Sequence, residues 1–410
     1  MSDRPLKILC FVADFGGCYE YRIRIPLEHQ RKHNVDYYPC AVLPNNPWTS
    51  DFVNMMNFMM PYDLIMVQRT NELDVVFFVK RICELLNKPM VYETDDDYLN
   101  IPRENPCAPS FSTPQALAAW KEILRMSDMV TVTTPELRNI VYPYNKNVRV
   151  FPNNVERVHD FRDYIPEEYY EKGHAKEGQI KITQAHGLPR VPAFKTKYDP
   201  NTKKEISEKR IIRIGYSATE SHRHEFKTIS YQWEKLIAKY WDKIFVVYIG
   251  DLWYYQNMDR KAKSFNRTVP IQASTYPFYM NHLRNLDIAI APLRPNIFNM
   301  SKSPIKAIEA ASWGIPSVLP NYVTYTREFT HDKNCLTYNT GKEFYDCMEE
   351  LINNTQMREE LGFEAREHIR HNRLEILHTQ ERYDAYRELV EKFPVIKIFQ
   401  PDKKEVASAA

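Results

Sequence analysis

The chain has 410 residues, enough for two domains of ordinary size, and its 55 Lys and Arg against 53 Asp and Glu leave a formal charge of +2, so any basic surface must be local. Its seven cysteines contain no Cys-x-x-Cys pair, which argues against a disulfide framework and a zinc knuckle and agrees with a reducing cytoplasm. The apolar start Leu6 to Ala13 is interrupted by Lys7, and the Met-rich run near 55 to 60 is broken by Asn57 and Pro61, so neither a signal peptide nor a membrane helix is expected.

Leu6 to Ala13 runs into Asp14-Phe15-Gly16-Gly17, and Tyr19 to Arg31 follows with helical spacing. Strand, glycine turn and helix open a βαβ unit. The turn lets backbone at Gly17 approach a ligand, and Arg22 points from the first helical turn. Further strands are expected at Val35 to Leu43, Asp63 to Gln68, Pro89 to Glu93, Asp128 to Thr133 and Asn147 to Phe151, with helices over 71–87 and 113–127. Strands alternating with helices predict a parallel doubly wound sheet whose ligands sit at the carboxyl ends of the strands. Asp95, Asp96 and Asp97 stand directly after one such strand. Three adjacent carboxylates repel one another, which raises the pKa of at least one or calls for a cation nearby. Asp95 and Asp96, with Arg22, are the catalytic candidates; a metal-binding Asp-x-Asp or a loop cap against Arg22 or Arg24 are the alternatives for the triplet.

From 155 to 210 the pattern gives way to a charged, Pro-containing linker or insertion. Between Lys172 and Arg213 there are eleven Lys and Arg against four acidic residues, an excess of seven, which fits either a solvated excursion or a polyanionic partner such as duplex DNA. The alternation then resumes. Strands are expected at Ile211 to Tyr216, Ile244 to Ile249, Thr268 to Gln272, Asp287 to Ala291, Ser317 to Leu319 and Cys335 to Tyr338, and helices over 221–240, 275–286, 303–313, 341–371 and 374–392. The division is therefore an N-terminal domain over 1–154, the linker 155–210, a C-terminal domain over 211–373, a helix over 374–392 returning toward the N-terminal domain, and a tail over 393–410.

Asn296 to Pro316 carries the most specific pattern. Ser303 followed by Pro304 reads as a helix start, and Gly314 with Pro316 as its stop. Lys302, Lys306 and Glu309 share one face, while Ile305, Ile308 and Ser312 share another. Two lysines at the positive end of a helix dipole call for an anion, which a phosphate would supply; a solvated face of ordinary charges is the alternative.

Asp287-Ile-Ala-Ile-Ala-Pro-Leu293, then Phe298-Asn299, Lys302-Ser303, Lys306, Glu309, Gly314 and Pro316, resembles the donor-binding signature of GT-B glycosyltransferases related to the GT4 family. Arg213 to His222 resembles the strand and loop that open their second domain, and Val150 to Asn154 the segment that closes their first. Gly16-Gly-Cys-Tyr-Glu-Tyr-Arg22 is similar to openings of glycosyltransferase-like proteins of large bacteriophages.

The resemblance implies a GT-B fold, two Rossmann-like domains facing across a cleft. It implies a nucleotide-sugar donor, UDP- or GDP-linked, as co-substrate, with no metal and no other cofactor. Glu309 matches the carboxylate that holds the ribose, and Lys302, Ser303 and the amides after it match the diphosphate cradle, with Lys306 beside them. Gly17, Ser217 and His222 complete the implied donor set. Where many relatives have a sugar-contacting glutamate, eight residues before Glu309, this chain has Ser301. The expected activity is transfer of a hexosyl or pentosyl group to an acceptor hydroxyl, the leading acceptor being a 5-hydroxymethylpyrimidine of bacteriophage DNA, in the host cytoplasm. A cell-surface or lipid-linked glycan is the second candidate, and a nucleotide-sugar epimerase or a non-catalytic DNA- or glycan-binding module are readings from other classes.

Overall fold

Unbroken apolar runs belong in parallel strands covered on both faces, and the computed structural model of the chain arranges them in two parallel six-stranded sheets. The structure describes residues 4–41, 52–159, 211–257, 267–272 and 275–394, with four two-residue strands between 182 and 206 that pair as antiparallel couples. The first sheet comprises β1 (Leu6–Phe11), β2 (Val35–Cys40), β3 (Leu64–Gln68), β4 (Met90–Glu93), β5 (Met129–Val132) and β6 (Val148–Val150), in the order β2-β1-β3-β4-β5-β6. The second comprises β7 (Ile212–Ala218), β8 (Ile244–Gly250), β9 (Thr268–Gln272), β10 (Ile288–Ile290), β11 (Ser317–Pro320) and β12 (Leu336–Tyr338), in the order β9-β8-β7-β10-β11-β12.

Each order reverses once, between β1 and β3 in the first sheet and between β7 and β10 in the second. These switch points are where doubly wound sheets open a crevice for ligands. The central strands β3 and β4 are buried along their whole length. The prolines fall where the ladder tolerates them, Pro39 on edge strand β2 and Pro270 on edge strand β9.

Helices cover both faces of both sheets, giving each sheet two apolar layers. A further cluster joins the halves: Tyr21 and Ile25 from the first helical segment pack with Ala307, Ile308 and Ala311 from helix Ile305–Ser312. Helix Thr379–Glu391 crosses back onto the first sheet, where Ala385, Tyr386 and Leu389 pack with Leu6, Ile8 and Cys10.

Two expected helices are each divided. The segment over 221–240 breaks into Arg223–Phe226 and Ser230–Tyr240, with the Thr228 hydroxyl donating to the Glu225 carbonyl at the turn. The segment over 341–371 breaks at Asn354, whose side chain accepts from the Met357 amide and so starts Thr355–Asn372 as a new helix. Most of the basic 172–213 segment lies outside the described residues, and Arg213 at its end is already engaged by Asp287 at 3.1 Å.

Candidate active site

The two switch points face one cavity of about 560 Å³, a size suited to a small organic ligand. Its walls are the turn after β1 (Asp14 to Cys18), Arg69 after β3, Asp95 and Asp96 after β4, Ser217 to Thr219 at the end of β7, Gly250 ending β8, and Lys302 to Glu309. Gly17 faces open space, with nothing within 4 Å of the position a Cβ would take. Gly250, at φ +115°, lies so close to β7 that a Cβ would stand 2.3 Å from the Ala218 carbonyl oxygen. Gly17, Asp95, Asp96, Ser217, His222, Lys302, Ser303, Lys306 and Glu309 all line this cavity.

The helix beneath it begins one step later than the sequence suggests. It spans Ile305–Ser312, Pro304 stands outside as the cap residue, and no side chain caps the start. The Ser303–Pro304 cap expectation is thereby corrected: Pro304 offers its carbonyl to the Ala307 and Ile308 amides, and Ser303 lines the cavity instead. The earliest amides of such a helix have no partner within it, and here they border the cavity. Gly314 terminates the helix as expected, in the left-handed region at φ +67°.

Glu309 sits one turn in and is 4% exposed. Tyr21 donates to its Oε1 and Tyr279 to its Oε2, both at 2.6 Å. Burial pushes its carboxyl up to about 7, against the opposing pull of the two hydroxyls and Lys306. Burial and then the charge of Lys302 push Lys306 down to about 7. Enclosure, reinforced by Lys306 and Lys302, holds His222 well below the ordinary histidine range. Burial and the neighbouring cations thus disfavour charge on Lys306 and His222, a cost that an anion in the cavity would offset.

Across the cavity the three aspartates diverge. Asp97 is buried, accepts from the Leu99 amide and the Asn100 side chain, and is pushed by burial to about 6, so it shapes its own loop. Asp96 meets Lys302 at 3.3 Å, an ion pair that bridges the two halves. Asp95 lines the cavity and keeps Oδ1 buried without a hydrogen-bond partner, the kind of group that calls for a functional explanation. Among the described residues no group of three or more His, Cys, Asp or Glu is placed to hold a metal ion.

Arg22 is a correction. Its side chain is 1% exposed and turned away from the cavity, paired through Nε with Glu93 at 2.6 Å and bonded to the Phe151 carbonyl and Asn153 Oδ1. Glu93, itself inaccessible, needs a buried cation, and Arg22 supplies it. Nor does Arg22 or Arg24 cap the aspartate triplet, since Arg24 pairs with Glu20. Ser301 also points away from the cavity: it is fully buried and its hydroxyl donates to the Phe298 carbonyl.

Tyr279, Tyr21 and Arg69 are among the cavity residues that the sequence did not single out. Tyr279 belongs to a helix placed correctly but read only for its period. Tyr21 lies in a π-helical turn, Glu20–Arg24, a distortion frequent at functional sites but with no sequence signature. Arg69 follows β3 with φ +53°, a strained backbone for a non-glycine residue. Its guanidinium reaches Cys18 Sγ at 2.7 Å and Asp14 at 3.7 Å.

The fold is that of the GT-B glycosyltransferases. Residues 226–379 match a family model described as glycosyl transferase-like. Among solved structures, sucrose-phosphate synthase from Thermosynechococcus elongatus superposes with a TM-score of 0.61 at 12% identity, covering 95% of this chain and 100% of that one. Anabaena HepE in complex with UDP-glucose gives a TM-score of 0.60 at 12% identity, over 93% and 99% of the two chains. A putative UDP-N-acetylglucosamine 2-epimerase from Listeria monocytogenes gives 0.51 at 10% identity, over 96% and 99%. No curated protein matches the chain in sequence. Among the described residues no helix is long and apolar enough to cross a membrane.

Proposed function

We propose that the chain transfers a glycosyl group from a UDP- or GDP-linked donor to an acceptor hydroxyl. The observation that carries this is the cavity-facing helix start, where unbonded amides, Lys302 and Lys306 surround space for a diphosphate and Glu309 stands one turn further in for a ribose. The glycosyl transferase-like match includes all of this helix, and HepE, similar in fold, holds UDP-glucose. In the reaction the acceptor oxygen bonds to the anomeric carbon as the bond from that carbon to the diphosphate oxygen breaks. The leaving diphosphate takes the electron pair and is stabilised by Lys306, Lys302 and the amides. The acceptor proton passes either to that phosphate or to Asp95, which lines the cavity across from the lysines.

For the acceptor, a 5-hydroxymethylpyrimidine of bacteriophage DNA is the leading class. The phage-like opening and the basic 172–213 segment support it, as does an aromatic wall of Tyr98 and Phe111, stacked with centroids 4.7 Å apart on the acceptor side, against which an extruded base would lie. A cell-surface or lipid-linked glycan is favoured by one contrary observation. The cavity-mouth arginine, Arg69, is already engaged by Asp14 and Cys18, which leaves duplex binding to the 172–213 segment.

Mass spectrometry of both acceptors after incubation with UDP- and GDP-sugars decides between them. The expected result is one glycosyl residue added to hydroxymethylated duplex, with duplex binding that weakens steeply with salt. Addition to the glycan alone, or a flat salt response, removes the DNA acceptor. In the same assay Asp95→Asn should keep UDP binding and lose transfer by on the order of 10²-fold; undiminished transfer would remove Asp95 as proton acceptor.

A further inference from the structure

We propose that Tyr21, carried by the N-terminal half, is a positioning residue for the nucleotide site of the C-terminal half, its hydroxyl fixing Glu309 in the orientation that accepts the ribose hydroxyls. The inference rests on the donor site proposed above and adds to it a residue 288 positions away in the chain.

The carboxylate has about four lone-pair directions. Tyr21 takes one on Oε1 and Tyr279 one on Oε2, which orients the group and leaves one direction on each oxygen for the paired hydroxyls of a ribose. Tyr279 comes from the same half as Glu309; Tyr21 comes from the other. The π-helical turn allows three successive side chains to serve three ends: Glu20 pairs with Arg24, Tyr21 enters the cleft, and Arg22 turns down to Glu93.

Tyr21 is not a loosely held lid. It is 5% exposed, Tyr276 meets its ring edge-on at 5.4 Å, and the Arg24 guanidinium covers Tyr276 in turn at 6.0 Å. One turn on, Ile25 packs into the cluster that holds Ala307 and Ile308 of the Glu309 helix. The ribose site is therefore complete only when the two halves are together, and nucleotide affinity reports their closure.

The test is Tyr21→Phe, which removes a single oxygen, with UDP and GDP binding measured by calorimetry from pH 6 to 9. Four groups facing Glu309 bear on its titration: Tyr21, Tyr279, Lys306 and Tyr276. The tyrosine hydroxyls favour the ionised carboxylate, so their loss raises its pKa further. Affinity at neutral pH should fall on the order of tenfold, the usual loss for a hydrogen bond to a charged group. The acid side of the binding profile should move to higher pH, a change that altered packing alone would not produce. Melting curves fix a temperature at which both proteins are folded, and binding is compared there. Wild-type affinity across the range, or tighter binding by the variant, would overturn the inference, the latter marking Tyr21 as an occupant that nucleotide displaces. If wild type itself binds neither UDP nor GDP, the donor site fails and the inference with it, an outcome visible before any variant is made.

Discussion

Lys306→Ala is expected to lower kcat/KM for the donor by on the order of 10²-fold, the loss typical of removing one preorganised charge from a developing anion. In the proposed reaction, transfer needs Lys306 protonated and Glu309 ionised. Burial holds the lysine down to about 7 and the carboxyl up to about 7, so wild-type kcat/KM should peak near neutrality and fall on both sides. In the variant the alkaline limb disappears. The acid limb moves to higher pH, because Glu309 loses the cation that favours its charge. Stability should move the other way. Between about 7 and the ordinary lysine value of 10.5 the unfolded chain holds a proton on Lys306 that the folded chain releases, so stability rises with pH across that window. Removing the lysine removes this cost, and the variant should melt no lower than wild type at pH 7. A lower melting temperature with an unchanged pH profile would make the lysine a structural residue.

Arg22→Met should do the reverse. Breaking a buried ion pair from one side leaves the other charge stranded, at a cost of about 3–5 kcal/mol. Glu93 would keep the Thr131 hydroxyl as a hydrogen-bond donor and the more distant charge of Arg382, and Asn153 and the Phe151 carbonyl would lose their donor. The expected fall in melting temperature is roughly 10 °C. Arg22→Met combined with Glu93→Gln should recover part of it, since neither buried charge then remains. A catalytic Arg22 would give the opposite pattern, transfer lost and melting unchanged.

The central strands were legible because they are apolar runs with no alternation, as at Leu64–Gln68 and Met90–Glu93, buried along their whole length. Helix Ile305–Ser312 was legible from its spacing, since Lys306 and Glu309 three residues apart must share a face. Its start was not. A Ser-Pro pair fits a cap locally, but the cavity at this end leaves Ser303 facing ligand space, and helix Ile297–Met300, capped by Asn296, was hidden just upstream. Adjacent carboxylates announced a need for charge compensation, and Asp96 finds it in Lys302. Which aspartate would turn inward depended on the loop after it, where Asp97 closes on Leu99 and Asn100. Arg22 and Tyr21 are neighbours in sequence with opposite fates, set by a π-helical turn and by partners that come from remote segments of the chain. No local pattern carries that information.

Glycosyl transfer at this site is tested by release of nucleoside diphosphate from a panel of UDP- and GDP-sugars, with hydroxymethylated DNA and glycan acceptors supplied together. The wild-type protein is expected to release it and Glu309→Ala to release none, with the variant folded. Release from no donor in the panel, or undiminished release by Glu309→Ala, would contradict glycosyl transfer at this site.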